Sequence, residues 1–160
     1  MEGIARESGV GKPTIYRWWP TKGAIFREAY VIEGADFLKM KGTGSLEGDL
    51  RHVVRGLCKL YTTTPHGKAL AGMFAEAQLD PRTRPDFVSG LQALRERGLQ
   101  GALKRAIARG ELPPDHDLDL GSDTLFGPIL YRLMIEGRPL NRTFADALVD
   151  GYLRGLGLKK

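Results

Sequence analysis

Residues 4 to 22 read Ile4-Ala5-Arg6-Glu7-Ser8-Gly9-Val10-Gly11-Lys12-Pro13-Thr14-Ile15-Tyr16-Arg17-Trp18-Trp19-Pro20-Thr21-Lys22. The spacing predicts a short helix over about Glu2 to Ser8. Ile4 and Ala5 lie on one side, with Glu2, Arg6 and Glu7 toward solvent. Gly9 ends it, because glycine accepts a left-handed C-terminal cap without a Cβ clash. Val10 plugs the turn. Pro13 suits the first turn of a second helix, where its missing N–H needs no partner. That helix carries Thr14, Ile15, Tyr16, Arg17, Trp18 and Trp19. Ile15 and Trp19 are four apart and face the local core. Lys12, Thr14, Tyr16, Arg17 and Trp18 stay mostly outside. Pro20 disfavours helix at Trp19, Thr21 caps a third helix, and Lys22 lies at its start. Two short helices at a tight turn, the second offering polar side chains outward, are sized to enter a major groove.

Outward from this stretch the pattern is helical throughout. Ile25, Phe26, Ala29, Ile32, Phe37 and Met40 follow the spacing of one long linking helix. Lys41-Gly42-Thr43-Gly44 breaks it. Ser45 can cap the next helix, striped by Leu46, Leu50, Val53, Val54, Leu57 and Tyr61. Thr62-Thr63-Thr64-Pro65 is a second break, before a short helix with Leu70, Met73, Phe74 and Ala77. Asp80-Pro81 ends that one. Pro85 opens another, carrying Phe87, Leu91, Leu94 and Ala102, with Leu99, Leu103 and Ile107 on a neighbouring face, up to Gly110. A helix over about Leu118 to Glu136 is apolar on more than one side, and Pro128 predicts a kink in it. The last helix, about Thr143 to Leu156, sets Ala147, Gly151 and Gly155 four apart, flanked by Phe144, Leu148 and Tyr152. Small residues in one row let a second helix approach closely. A helix apolar nearly all round needs cover all round, so the last two helices are expected to pair with their copies in a second subunit.

A chain of 160 residues supports one substantial core, or a small head on a larger body. The division predicted is a head with its linking helix at 1–40 and a body at 41–160, in an all-α fold. The net charge of +5 favours a polyanionic partner only weakly. The single cysteine, Cys58, excludes an internal disulfide framework and fits a reducing cytoplasm. No signal peptide or membrane-length apolar run is present, so no membrane partner is expected.

The run from Ile4 to Phe26 resembles the helix-turn-helix of the tetracycline-repressor (TetR) family. The matching parts are Ile-Ala…Gly-Val, Thr-Ile-Tyr-Arg before an aromatic pair, then Pro-Thr-Lys and Ala-Ile-Phe. In the body, Arg-Gly-Glu-Leu and Phe-Gly-Pro-Ile-Leu-Tyr-Arg-Leu carry the likeness. Matched position by position, the resemblance implies that Lys12, Tyr16 and Lys22 hold phosphates. Gly11, Pro13, Arg17 and Trp18 fall where the family approaches bases or backbone, and Thr14 can do either. Arg17 is the candidate for a guanine edge, given its two-pronged donor geometry. Gly11, Pro13 and Trp18 replace the family's more usual Ser, Gly and smaller aromatic or His, which bears on the operator sequence. The family also begins its head with a helix that precedes the segment seen here. On that ground the head is expected to be weakened, lacking three or four buried side chains worth about 1.5–3 kcal/mol each.

The resemblance further implies a homodimeric, ligand-responsive repressor of double-stranded operator DNA. The dimer face nominated is Leu125, Leu133, Phe144, Ala147, Leu148, Gly151, Tyr152 and Gly155. Nominated liners of a small-molecule pocket are Leu57, Cys58, Tyr61, Met73, Phe74, Phe87, Leu91, Leu94, Phe126, Ile129, Leu130 and Met134. Aromatic and Met-containing faces suit an apolar or cationic effector, although the same stripes are also what plain core looks like. The alternative reading is a ligand-binding helical dimer that has lost DNA binding. No cofactor, metal or catalytic residue is nominated. Cys58 reads as an inert buried thiol. Asp115-His116-Asp117-Leu118-Asp119 reads as a loop and helix cap, since no second His or Cys completes a ligand spacing. No nucleophile elbow, phosphate loop or zinc helix motif appears, which argues against an enzyme.

Overall fold

Punctuation residues set the helix ends in the computed structural model, which describes residues 1–39 and 42–157. Gly9 closes α1 (Glu2–Ser8) with φ 68°. Thr21, Ser45, Asp117 and Asn141 each turn a side-chain oxygen onto the first free N–H groups of a helix. The elements are α1, α2 (Lys12–Trp18), α3 (Lys22–Phe37), α4 (Leu46–Thr63), α5 (His66–Leu79), α6 (Arg84–Arg95), α7 (Gly101–Ala108), α8 (Leu118–Tyr131) and α9 (Arg142–Gly155). Among the described residues there is no strand. Met40 and Lys41, assigned above to the end of the linking helix and its break, lie outside the described residues, as does the boundary between them.

Helix α4 is the buried centre, touching α3, α5, α7 and α9. Leu50, Val53, Val54 and Leu60 are fully enclosed, each contributing about 1.5–3 kcal/mol. Its start is clamped by the Arg109-Gly110-Glu111-Leu112 turn. Gly110 takes φ 76°. That places the Glu111 carboxylate 2.6 Å from the Leu46 N–H and buries Leu112. Beside it, Asp49 is fully buried and accepts from Arg105 at 3.0 Å, Arg109 at 3.3 Å and both donors of Thr43. Burial pushes the Asp49 carboxyl up, but the Thr43 and Arg105 hydrogen bonds outweigh it and hold it below the ordinary value of 3.8.

The seam between α3 and α6 is glycine-built. A Cβ on Gly23 would stand 2.7 Å from the Thr83 carbonyl oxygen, one on Gly34 2.9 Å from Leu94, and one on Gly90 3.2 Å from the Arg27 backbone. The linking helix therefore does not bury the stripe read from its large apolar residues. Ile32 is 63% exposed and Ala29 is also exposed, while Gly23, Phe26, Tyr30 and Gly34 face inward. The phenols of Tyr30 and Tyr61 then hydrogen-bond to each other, tying α3 to α4.

One further expectation is corrected. The helix from Pro85 to Gly110 is interrupted by a π-helical turn at Glu96–Gln100. A wider turn adds a residue and rotates the helix beyond it, so Leu99 and Leu103 enter the same core as Leu94. Helix α8 carries Pro128 inside its span, Leu118–Tyr131. The ladder leaves α geometry one turn later, at Arg132–Glu136, before Gly137 at φ 62°. Leu125 and Ile129 are fully buried on either side of the proline.

Candidate nucleic-acid interface

Ile15 anchors α2, at 3% exposure, and the other side chains of that helix face out. Gly11 supplies the extended N-cap and Pro13 sits in the first turn. Lys12, Pro13, Thr14, Tyr16, Arg17 and Trp18 are all exposed, as is Lys22 at the start of α3. Trp18 is 67% exposed, with the Arg17 guanidinium 5.7 Å from its ring centre. Trp19 is half-buried, and its indole N–H donates to Glu28 at 2.9 Å. The structure thus brings the nominated DNA residues onto one small helix and the adjoining helix start. Lys12 pairs with Glu2 on α1, and Lys22 with Glu76 on α5. Among the described residues Arg17 faces no carboxylate.

The head meets the body at the turn between α5 and α6. Thr21 Oγ1 accepts from the Ala24 N–H and donates to Asp86 Oδ2 at 2.7 Å. Sequence reasoning missed this contact. Nothing in the local pattern pairs residues 65 positions apart, although Thr21 was legible as a cap.

The nominated pocket liners are differently placed. Leu57, Cys58, Tyr61, Phe87, Leu94, Phe126 and Ile129 are buried in the core, where they fill one another's space. Met73, Leu91, Leu130 and Met134 are half-buried, and Phe74 is 40% exposed. A cavity of about 530 Å³ lies between α1, α3 and α5, lined by Ile4, Phe26, Tyr30, Glu33, His66 and Met73 among others. Met73 is the one nominated liner on it. Burial pushes the Cys58 thiol up to about 11, against the opposing charge of Arg132.

Of the nominated dimer residues, Leu125 is wholly enclosed by its own chain and is corrected to core, because it belongs to the apolar cluster that the chain's own helices fill. Leu133, Phe144, Leu148 and Tyr152 are half-buried or partly exposed at the surface of the core, while Ala147, Gly151 and Gly155 are exposed. Leu120, Tyr131 and Ile135 add 65%, 54% and 70% exposure nearby on α8 and its π turn. Asp117 caps α8, and His116 Nε2 bonds the Tyr152 hydroxyl at 2.9 Å. Among the described residues no cluster of His, Cys, Asp or Glu is arranged to hold a metal. No described helix is long and apolar enough to cross a membrane.

A glycine-turned pair of short helices, the second exposed along its polar face and mounted on a helical body, defines a helix-turn-helix protein. Comparison with known proteins narrows the class. Residues 40–152 match the profile described as tetracyclin repressor-like, C-terminal domain, and residues 1–29 that of bacterial regulatory proteins, tetR family. The chain is 28% identical over 156 residues to the HTH-type transcriptional regulator YdeS of Bacillus subtilis, covering 98% of this chain and 78% of that one. It is 28% identical over 158 residues to the DNA-binding transcriptional repressor TetR of Mycobacteroides abscessus, with 96% and 80% covered. The TetR family transcription regulator SCO0332 shares the fold at a TM-score of 0.82 and 34% identity, over 96% of this chain and 85% of that one. The chain belongs to the TetR family of transcriptional regulators.

Proposed function

We propose that this regulator is a cytoplasmic homodimeric repressor released from operator DNA by a small molecule. The reading divides the chain into a head at 1–40 and a body at 41–160. The observation that carries it is α2: a helix held by Ile15 alone, with Lys12, Thr14, Tyr16, Arg17 and Trp18 facing out. Lys12, Tyr16 and Lys22 bind phosphates and set register. Arg17 reads a guanine, while Gly11, Pro13, Thr14 and Trp18 follow the groove. The exposed Ala147, Gly151 and Gly155 of α9, with Leu120, Tyr131 and Ile135, form the subunit interface. A twofold axis there sets two recognition helices about 34–36 Å apart, one turn of DNA. An effector acts by binding one of two body arrangements more tightly, and shifts the balance only by that difference. The cavity between α1, α3 and α5 borders head and body together, so an apolar occupant there has different contacts in the two arrangements.

The test is selection of binding sites from a random duplex pool, alongside sedimentation of the free chain. The account requires an enriched palindrome with half-sites about one DNA turn apart and a dimer at micromolar concentration. A monomer, or a pool without enrichment, refutes it.

A further inference from the structure

The lysine assigned to a phosphate is already occupied by a carboxylate of the body. Lys22 Nζ lies 3.0 Å from Glu76 Oε2, which projects from α5 across the seam. The lysine side chain is 46% exposed and the glutamate 32% exposed, so the pair is neither buried nor fully screened. Two contacts and the position of Glu76 set its geometry. Asp86 takes the hydroxyl of Thr21, one residue before Lys22. Gly23, one residue after it, lies so close to the Thr83 carbonyl that no Cβ fits between them. Glu76 lies one helical turn before the end of α5, from which the turn to α6 departs. The start of α3 is therefore gripped by three residues of the body, and Lys22 cannot move relative to α6 without disturbing them.

We propose that Glu76 is a determinant of DNA affinity, acting as an internal stand-in for the phosphate that Lys22 would otherwise hold. The inference rests on the DNA-binding reading above. A carboxylate and a phosphate present the same kind of oxygen to an ammonium group. The ammonium has three donors, but Glu76 already neutralises its charge and fixes its direction, so a phosphate of bound DNA competes with the carboxylate for it. Because Glu76 belongs to the body, any rearrangement that carries α5 away from α3 frees Lys22 and tightens binding. One that brings them together weakens it. The body thereby tunes the head through one ion pair, without displacing the recognition helix.

The test uses the full chain and a fluorescently labelled mixed-sequence duplex, since a phosphate contact needs no operator. Binding is measured by anisotropy over a salt series. Glu76→Gln should tighten binding about two- to fivefold per subunit engaged, the range of a partly exposed ion pair. Lys22→Gln should weaken binding and flatten the plot of log affinity against log salt by about 0.9 per subunit, so about 1.8 for a dimer with both heads on the duplex. Adding Glu76→Gln to Lys22→Gln should change nothing. An equal gain with and without Lys22 means that Glu76 merely repels DNA at long range, and overturns the proposal. So does the absence of any gain in the single variant. Failure of the unmodified chain to bind the duplex at any salt brings down the DNA-binding reading itself, and this inference with it.

Discussion

Asp49→Asn isolates the clamp that fixes the start of α4. Asp49 is fully buried and accepts from Arg105 and Arg109, whose side chains are 33% and 28% exposed. A hydrogen bond to a charged group contributes about 1.5–3 kcal/mol. The partial exposure of both arginines places each bond at the low end of that range, so two of them sum to about 3 kcal/mol. Breaking a buried pair by removing one partner costs about 3–5 kcal/mol, which agrees. Asparagine keeps an oxygen for Thr43 but turns a donor toward two guanidinium groups, so nothing replaces what is lost. For a chain of this size about 3 kcal/mol lowers the melting temperature by about 6–12 °C. The pH dependence has a definite sign. The Asp49 carboxyl is held below its ordinary value of 3.8 in the folded chain. Its contribution is therefore fully present above that value and is lost as pH falls through the lower, folded one. Urea unfolding of the two proteins across a pH series should show a constant gap from neutral pH down to the ordinary carboxylate range, closing below it. A gap under about 0.5 kcal/mol at neutral pH, the size of a surface change, or one that widens toward acid, refutes the clamp.

Three further predictions concern glycine seams, the exposed row on α9 and the lone thiol. Gly72→Ala, in the interior of α5, gains about 1 kcal/mol of helix propensity, and Gly23→Ala, in the first turn of α3, gains less. A Cβ at Gly72 meets nothing while one at Gly23 meets the Thr83 backbone, so thermal melts should move in opposite directions. A Cβ at Gly151, where Gly151→Gln begins its side chain, meets only Arg154 within its own chain, at 3.9 Å. On the proposed dimer, sedimentation of this variant should show dissociation to a folded monomer, with circular dichroism unchanged. Cys58 is buried, with its thiol pushed up to about 11. A thiol reagent at mildly alkaline pH should label it far more slowly in the native chain than in denaturant.

The helix-turn-helix was legible because its signals are local. Gly9, Pro13 and Thr21 act on their own backbone, and α1 spans the residues read for it. Ser45 and the α4 stripe were legible for the same reason. What stayed hidden depends on partners far along the chain. A stripe of large apolar residues placed Ile32 inside, whereas glycines at 23, 34 and 90 let α3 and α6 close on their small faces. Hydrophobic periodicity does not score an absent side chain. The π turn at Glu96–Gln100 reset the phase of one long apolar pattern, so Leu99 and Leu103 read as a neighbouring face and not as the same core. Leu125 belonged to an all-round apolar helix, and only tertiary packing decides which side of such a helix its own chain covers. The roles of Lys12 and Lys22 as cations were readable, but not their occupation by Glu2 and Glu76.

Methylation protection on the selected duplex tests the central claim most directly, because guanine N7 lies in the major groove. The account predicts two sets of protected guanines about one helical turn apart, with one guanine in each set exposed again by Arg17→Ala. Protection confined to adenine N3 in the minor groove, or a pattern unchanged by Arg17→Ala, contradicts the claim that α2 reads DNA.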